Sequence, residues 1–459
     1  MLLCALAASA QEDPSEQPAS TIKVEVRQVL VPVVVTDRKG HHVTGLKARD
    51  FRVFEDGVEQ KIISFGNELA GMHTSEPVEA TANAEPILEP ETAQPAGEGP
   101  LPIRRTYLVV LDSLFLSFDT SGRVFEALQN LFAQEQSSDS RYALVALGRE
   151  LRIMRSVTRN PADILAVARN QAAPRDVLGS GAGNLSGQER QLRSMLEKYC
   201  RSCDCIIPPQ PTGRPVISES LSLCASMLDD IERWTSSAAL ERSGSIQNFL
   251  RRFKDIVVQF GKQPGKRILI LVSEGFDVWP GRDLYSMISV YTNQPTLLVR
   301  NPTSPLGHEL EEVVRAATGA NVVIYSVDSR GLAAPSFGLF NAEQPGGRFA
   351  RRDAGVAISG MISQTSALED ARRDAMAKLS DVTGGVFYRG SNDLSKGLRQ
   401  AFADEREFYV LAYVPIQRAD NGKFRKIRVE VKDKKVRVRA KDGYWAPGLS
   451  HALLSHPVQ

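Results

Sequence analysis

Two short apolar runs, each ending at or near an acidic residue, most constrain what this chain can fold into. They lie in Arg104–Phe118 (RRTYLVVLDSLFLSF) and Lys266–Asp277 (KRILILVSEGFD). Uninterrupted apolar runs of this length are typical of parallel strands buried on both faces. In an open α/β sheet, ligands bind just beyond the carboxyl ends of such strands. Asp112 and Glu274 are therefore predicted to lie where a metal or ligand site would be built.

Candidate strands and helices alternate over 103–416. The predicted strands are 107–111, 142–147, 151–157, 268–272, 322–327, 386–388 and 408–414. Such alternation predicts an α/β domain, with a doubly wound, mostly parallel sheet and helices on both faces. Two insertions, 172–243 and 331–364, interrupt it and are interpreted as long loops, which are usually functional or disordered.

The two ends of the chain are rich in β-strand patterns. The N-terminal segment, 21–68, contains two apolar runs around Asp56-Gly57, which indicates a hairpin. The C-terminal segment, 417–447, also alternates. We expect the two segments to form one β-sandwich, into which the α/β domain is inserted. In the alternative, the C-terminal strands extend the edge of the α/β sheet. Residues 69–102, rich in Glu, Pro, Ala and Thr, predict a disordered linker.

The first ten residues predict a secretory signal peptide, because an apolar stretch ends in Ala-Ser-Ala. The stretch is short and lacks a basic region, so a truncated start, and with it a lipoprotein at Cys4, stays open. We expect a secreted, periplasmic or cell-envelope protein. Export favours disulfides among four cysteines over a metal clip, and the connectivity stays open. They are Cys200, Cys203, Cys205 and Cys224.

Composition and motifs exclude several function classes. The formal charge of +2 shows no overall nucleic-acid signature, and the basic stretch Lys423–Lys441 is interpreted as the solvent face of edge strands. The sequence predicts no transmembrane span, because no later apolar stretch is long enough. It contains no Ser-His-Asp arrangement, phosphate-binding loop or His-Glu-x-x-His motif, so no enzyme is predicted.

Seven sequence blocks follow one another in order from about Ile22 to Trp445: VPVVVTDRKGHHVTGLKARDFRVFEDGVEQKIISF, YLVVLDS, ILILVSEGFD, VVIYSVDSRGL, LSDVTGGVFYRG, FYVLAYVP and KIRVEVKDKKVRVRAKDGYW. Together they resemble the VWFA-related acidobacterial family, whose proteins contain a von Willebrand factor type A-like domain. The resemblance implies a secreted or envelope protein with an adhesive or scaffolding domain. It also implies a metal-ion-dependent adhesion site, with the pattern Asp-x-Ser-x-Ser followed by a Thr and a second Asp.

This sequence matches that pattern only in part. Asp112 matches the first Asp, and Thr158 is placed like the family Thr, but Glu274 stands where the pattern has Asp. Leu114 and Leu116 occupy the two serine positions and cannot bind a metal. The resemblance thus implies a degenerate site for Mg²⁺ or another divalent cation. In the alternative, Asp112 and Glu274 accept hydrogen bonds from backbone N–H groups at strand ends or helix N-termini.

The predicted function is a binding module, for adhesion or scaffolding, whose partner is another protein or an envelope component. Asp112, Thr158 and Glu274 are the predicted metal ligands. The predicted contacts to the partner are Ser113, Ser117, Asp277 and Trp279. One alternative is a metal-free structural envelope scaffold. The other is a hydrolase that uses Asp112 and Glu274. The oligomeric state stays open.

Overall fold

A computed structural model gives the fold of this chain. It describes residues 28–66, 105–137, 139–170, 172–178, 182–203, 218–292, 294–331, 370–404, 408–416 and 421–446. The predicted signal peptide, the predicted linker and nearly all of the second insertion lie outside the described residues. The signal peptide, the linker, the second insertion and the domain boundaries therefore remain predictions from the sequence.

A six-stranded sheet forms the centre of the α/β domain. Its strands are β5 (Arg105–Asp112), β6 (Ser140–Leu147), β7 (Leu151–Thr158), β8 (Lys266–Ser273), β9 (Val322–Asp328) and β10 (Phe387–Tyr388). They lie in the order β10-β9-β8-β5-β6-β7. All neighbours run parallel except β6 and β7, which are antiparallel. The predicted mostly parallel sheet is confirmed.

Helices cover both faces of this sheet. The helices of the α/β domain are α1 (Phe118–Phe132), α2 (Pro161–Arg169), α3 (Ala173–Leu178), α4 (Ala182–Ser202), α5 (Ser218–Phe260), α6 (Arg282–Thr292), α7 (Gly307–Gly319), α8 (370–383) and α9 (Leu394–Asp404), with a short 3-10 helix at Pro295–Arg300. A second 3-10 helix, Ala48–Asp50, lies in the N-terminal β segment. Alternate residues of β5 point into two different cores. Val109 packs in one core with Leu128 of α1, and Val110 packs in the other with Phe253 of α5. The doubly wound architecture is therefore confirmed.

Nearly all described residues of the first insertion are helical, so its interpretation as a long loop was wrong. Helix α5 is 43 residues long, and only its C-terminal part, from Ile246 to Phe260, packs against the parallel sheet. Side chains of α4, α5 and α6 form a third apolar core of their own, including Leu196, Ile231 and Ile288. A disulfide joins Cys203 to Cys224, and Cys200 is also disulfide-bonded. Cys205 lies outside the described residues.

Two four-stranded antiparallel sheets combine the two ends of the chain. Their strands are β1 (Val29–Thr36), β2 (Phe51–Glu55), β3 (Val58–Gln60), β4 (Ile62–Gly66), β11 (Tyr409–Tyr413), β12 (Phe424–Val431), β13 (Arg437–Ala440) and β14 (Gly443–Trp445). The sheet orders are β13-β1-β11-β4 and β14-β12-β2-β3. Both sheets contribute to one core, for example through Val31, Val53 and Ile427. The predicted sandwich is confirmed, and the C-terminal strands do not extend the α/β sheet.

One strand prediction was wrong. Residues 408–414 were expected to complete the parallel sheet, but β11 pairs with β1 and β4 in the sandwich. The strand is apolar throughout, and such a run is equally suited to the middle of either sheet. Its partners, not its composition, decide where it lies.

The sandwich packs against the amino edge of the parallel sheet. Lys266, the first residue of β8, places its Nζ 3.7 Å from the centre of the Phe408 ring. Lys441 donates from Nζ to Oδ1 of Asn321, the residue before β9, at 3.2 Å. The carboxyl edge, which bears Asp112, is consequently the end of the α/β domain that faces away from the sandwich. Within the described residues, no helix is both long and apolar enough to cross a membrane.

Candidate functional site

The carboxyl edge of the sheet carries a row of polar residues at the ends of three adjacent strands. Asp112 ends β5, Ser273 ends β8 and Asp328 ends β9. Ser273 and Asp328 are register partners, and Leu111 pairs with Val272 one residue before. Parallel pairing brings all three strand ends to one edge, as the alternation of strands and helices predicted.

Asp112 is fully buried and satisfies its hydrogen bonds inside the protein. Its Oδ1 accepts the backbone N–H groups of Leu114, at 3.1 Å, and Phe115, at 3.2 Å, while Oδ2 accepts the Ser273 hydroxyl. Burial raises the pKa of Asp112 to about 7, although the three donors oppose this shift. The carboxyl group thus holds the turn after β5 in place.

Glu274 lies beside Asp112 and acts on the start of helix α1. Its Oε1 accepts the backbone N–H of Ser117 at 2.8 Å. Ser117 is the N-cap of α1, and its Oγ donates to the hydroxyl of Thr120 at 2.8 Å. A carboxylate is stabilised at a helix N-terminus, where backbone N–H groups lack partners. Asp112 and Glu274 thus form the backbone contacts that the alternative interpretation expected.

Ser113 directly follows β5 and contacts the end of β6. Its backbone N–H donates to the carbonyl of Leu147 at 2.8 Å. A Cβ atom at Gly148 would lie only 2.4 Å from Ser113 Oγ, so any side chain there would force Ser113 to move. Ser113 is buried. As placed, it offers little surface to a partner.

Asp277 and Trp279 shape the loop that follows β8. Asp277 is buried and accepts the backbone N–H of Trp279 and the Nε–H of Arg282, both at 2.8 Å. Burial raises the pKa of Asp277, and the contacts from Trp279 and Arg282 oppose that shift. Trp279 donates from Nε1 to the carbonyl of Thr303 at 3.1 Å, yet remains 38% exposed. Asp277 therefore supports the loop, and the indole is its accessible part.

Thr158 does not belong to this site, so its assignment as a metal ligand was wrong. It pairs with Tyr142, whereas Leu147 is the residue of β6 that lies beside Asp112. At about 3.3 Å per residue, the five positions between them separate Thr158 from the Asp112 level by roughly 17 Å. Because β7 runs antiparallel, its last residue lies at the amino edge. Thr158 there donates to Asp163 at 2.7 Å.

The donors at the carboxyl edge fit a divalent cation poorly. Leu114 and Leu116 are buried in the two opposite cores of the sheet. Asp112 already accepts three hydrogen bonds, and a cation would have to displace at least one of them. In the described part of the chain, no group of three or more His, Cys, Asp or Glu side chains could hold a metal ion. A hard cation needs about six oxygen ligands, which these side chains do not supply.

Two residues at this edge were missed by the sequence analysis. Phe118, the first residue of α1, is 59% exposed. The N-cap Ser117 was the available signal, since it places Phe118 in the first turn, beyond the packed part of the helix. Ser329, directly after β9, is buried, and its hydroxyl has no hydrogen-bond partner among the described residues.

No protein-family model matches the sequence, and no curated protein matches it. Several solved structures are similar in part. A conserved hypothetical protein BatB from Bacteroides thetaiotaomicron has 9% identity, with 66% of this chain and 98% of that chain covered and a TM-score of 0.27. An aerotolerance-related membrane protein from Bacteroides fragilis has 8% identity, with 66% of this chain and 99% of that chain covered and a TM-score of 0.28. The human COPII-coat protein Sec24c has 10% identity, with 76% of this chain and 44% of that chain covered and a TM-score of 0.24. Similarities this weak carry no argument about function.

Proposed function

We propose that this chain is an exported binding protein, whose type A-like α/β domain presents its carboxyl-edge loops to another protein. The observation that carries the proposal is the exposure of Trp279, in the loop after β8, and of Phe118, at the start of α1, while Asp112 at the same edge is buried. Aromatic side chains are enriched in protein interfaces, and Trp is among the residues that contribute most to binding energy. We call Phe118 and Trp279 the aromatic rim.

Binding is favoured over catalysis by the state of the carboxyl groups. A general acid or base has to come within hydrogen-bond distance of the group it serves. Asp112 has no exposed surface, and all its hydrogen bonds go to the protein itself. A hydrolase using Asp112 and Glu274 would need the turn after β5 to open first. We therefore propose no enzymatic activity for this edge.

The aromatic rim can be tested by partner capture. The purified chain serves as bait for an envelope extract of the source organism, beside a Phe118→Ala/Trp279→Ala variant. We expect a defined partner to bind the wild type and to be lost from the variant. The matched control, Val299→Ala/Ile416→Ala, removes two exposed apolar side chains elsewhere and should keep the partner. Equal capture by all three proteins would contradict the proposal and favour a structural scaffold that does not use this rim.

An ion-dependent version of the same function is a second candidate. Two oxygens at the edge favour it, namely the buried Ser329 hydroxyl and Oε2 of Glu274, which accepts no hydrogen bond from a described residue. Calorimetric titration with Mg²⁺, Mn²⁺ and Ca²⁺ tests it, with Glu274→Gln as the matched variant. Saturable binding that the variant loses would establish an ion site. We expect no saturable heat and the same partner capture in EDTA.

A further inference from the structure

We propose that one end of the β-sandwich is a docking surface for anionic phospholipid membranes. This basic end consists of residues 37–50, which follow β1, and residues 432–437, which comprise the connection from β12 to β13 and the first residue of β13. It lies apart from the aromatic rim, and the proposal does not depend on the function proposed for that rim.

The two segments meet only in the folded chain. Thr36, the last residue of β1, pairs with Arg437. The backbone N–H of Lys432 donates to the carbonyl of Asp50 at 3.0 Å. Both segments therefore leave the sandwich at the same end, although they are far apart in the sequence.

Positive charge is concentrated at this end. Its eight basic side chains are all exposed: Arg38, Lys39, Lys47, Arg49, Lys432, Lys434, Lys435 and Arg437. The two segments also contain three aspartates, so their formal charge is +5 with histidine neutral. The formal charge of the whole chain is +2. The rest of the protein is therefore slightly acidic. The basic end cannot be attributed to a basic composition overall.

The aspartates support the turns and do not neutralise these cations. Asp37 accepts the backbone N–H groups of Lys39 and His41, Asp50 accepts that of Lys47, and Asp433 accepts that of Lys435. None of the eight basic side chains forms an ion pair with another described residue. Their charge remains available to a partner.

A planar anionic partner fits this surface better than a nucleic acid does. The two segments contain no Phe, Tyr or Trp, so they lack the large aromatic stacking platforms on which single strands bind. The exposed cations of both segments lie at the same end of the sandwich, where a layer of headgroups can contact both segments at once. Each Lys or Arg near an anionic membrane strengthens binding roughly fivefold.

The orientation is compatible with the rest of the molecule. Strand β13 begins with Arg437 at the basic end and leads to Lys441, which contacts Asn321 at the amino edge of the parallel sheet. The basic end thus faces away from the α/β domain. A chain docked in this way would direct its aromatic rim away from the membrane.

Vesicle flotation tests the proposal with the purified full chain. We expect binding to vesicles of phosphatidylglycerol and phosphatidylcholine, little binding to phosphatidylcholine alone, and a loss of binding as salt rises, because exposed charges are screened. Equal binding to both vesicle types would overturn the proposal. Tighter binding to heparin or DNA than to the anionic vesicles would also overturn it, in favour of a linear polyanion.

Charge variants locate the surface. Lys432→Gln/Lys434→Gln/Lys435→Gln/Arg437→Gln should weaken vesicle binding roughly a hundredfold or more, given about fivefold per charge. The matched control changes four exposed cations elsewhere: Lys198→Gln/Arg252→Gln/Lys262→Gln/Lys396→Gln. It loses the same net charge and should bind within about twofold of wild type on that argument. Equal losses in both variants would show a net-charge effect and overturn the proposal.

Two further variants separate the possible outcomes. If the first quadruple variant does not fold, Lys39→Gln/Lys47→Gln/Arg49→Gln tests the other segment of the basic end and should also weaken binding. The rim variant, Phe118→Ala/Trp279→Ala, should bind vesicles as wild type does. Failure of vesicle binding and failure of partner capture are therefore independent results.

Discussion

Asp112 is a carboxyl group without solvent contact. Burial disfavours its charged form, and the donors Ser273, Leu114 and Phe115 recover only part of the lost hydration, so its pKa is raised to about 7. A residue type that suggested a metal ligand in the sequence is therefore used to hold a turn. The same carboxyl group makes the stability of the folded chain dependent on pH.

We expect Asp112→Asn to remove a pH dependence of stability. Since the pKa of Asp112 is raised on folding, from 3.8 to about 7, the folded chain binds more protons than the unfolded chain between these values. Stability therefore falls as pH rises through this window. The asparagine does not ionise, so the free energy of unfolding should fall less with pH than in wild type. Chemical denaturation at pH 5 and pH 8 measures the difference.

Asp112→Ala is the informative control for that experiment. It leaves the N–H groups of Leu114 and Phe115 without their acceptor, which costs about 1–3 kcal/mol for each buried group. We expect it to destabilise the chain at both pH values. If Asp112→Asn showed the same pH dependence as wild type, the other buried acids, such as Asp277, would be its source.

At the scale of elements, a charged network joins four helices on one side of the α/β domain. Asp283 of α6 binds Arg242 of α5 and Arg372 of α8, and Arg372 also binds Glu189 of α4 at 2.8 Å. Only 11% of the Asp283 side chain and 6% of the Arg242 side chain are exposed to solvent. Although burial opposes ionisation, the two arginines hold the pKa of Asp283 well below its usual range. The helical insertion is thereby attached to the helices that flank the sheet.

Removing the acid of this network should be strongly destabilising. Asp283→Asn leaves two arginines without their shared carboxylate, and breaking a buried ion pair typically costs about 3–5 kcal/mol. We expect the free energy of unfolding from urea denaturation to fall by roughly 3 kcal/mol. Asp229→Asn, an exposed acid on the same helix as Arg242, should change it by less than about 0.5 kcal/mol. Equal effects of the two substitutions would show that the network contributes nothing specific.

At the scale of the whole molecule, the sandwich and the α/β domain meet around a buried lysine. Lys441 follows β13 and donates to Asn321 at the amino edge of the parallel sheet. Gly384, at φ +85°, approaches so closely that a Cβ atom there would lie 2.8 Å from the Lys441 backbone nitrogen. Burial lowers the pKa of Lys441 to about 8. The interface therefore holds a cation at a cost to stability.

Lys441→Met should stabilise the chain at neutral pH. The ordinary pKa of 10.5 is lowered to about 8, so the cost of the buried charge is fully present below pH 8. Between pH 8 and 10.5 the unfolded chain binds more protons, and wild-type stability rises with pH relative to the variant. At 1.36 kcal/mol per pKa unit, we expect a gain of roughly 1–3 kcal/mol at pH 7.

Thermal and urea unfolding of Lys441→Met at pH 7 and pH 10 measure this gain and its pH dependence. Lys396→Met, a change at an exposed position, is the control and should be nearly neutral at both pH values. A gain for Lys441→Met that did not shrink between pH 7 and pH 10 would contradict the role assigned to its charge.

Local pattern was enough to predict the α/β class, the mostly parallel sheet and the sandwich built from both ends of the chain. Buried strands and hairpins carry their own signals, because burial on one or two faces dictates which residues a strand contains. For the same reason Asp112 and Glu274 could be placed at the carboxyl edge from their positions after apolar runs.

What tertiary structure alone decided is which side chains meet. Thr158 lies at the amino edge because β7 is antiparallel, and 409–413 joins the sandwich because its partners are there. Arg437 reaches the same end as Lys39 only through the pairing of β13 with β1. Sequence period determines the face on which a residue lies, but long-range packing determines its neighbours. The carboxyl edge was predictable because strand ends follow from local pattern. Its internal hydrogen bonds and the basic end were not predictable, because they depend on which residues become neighbours in the folded chain.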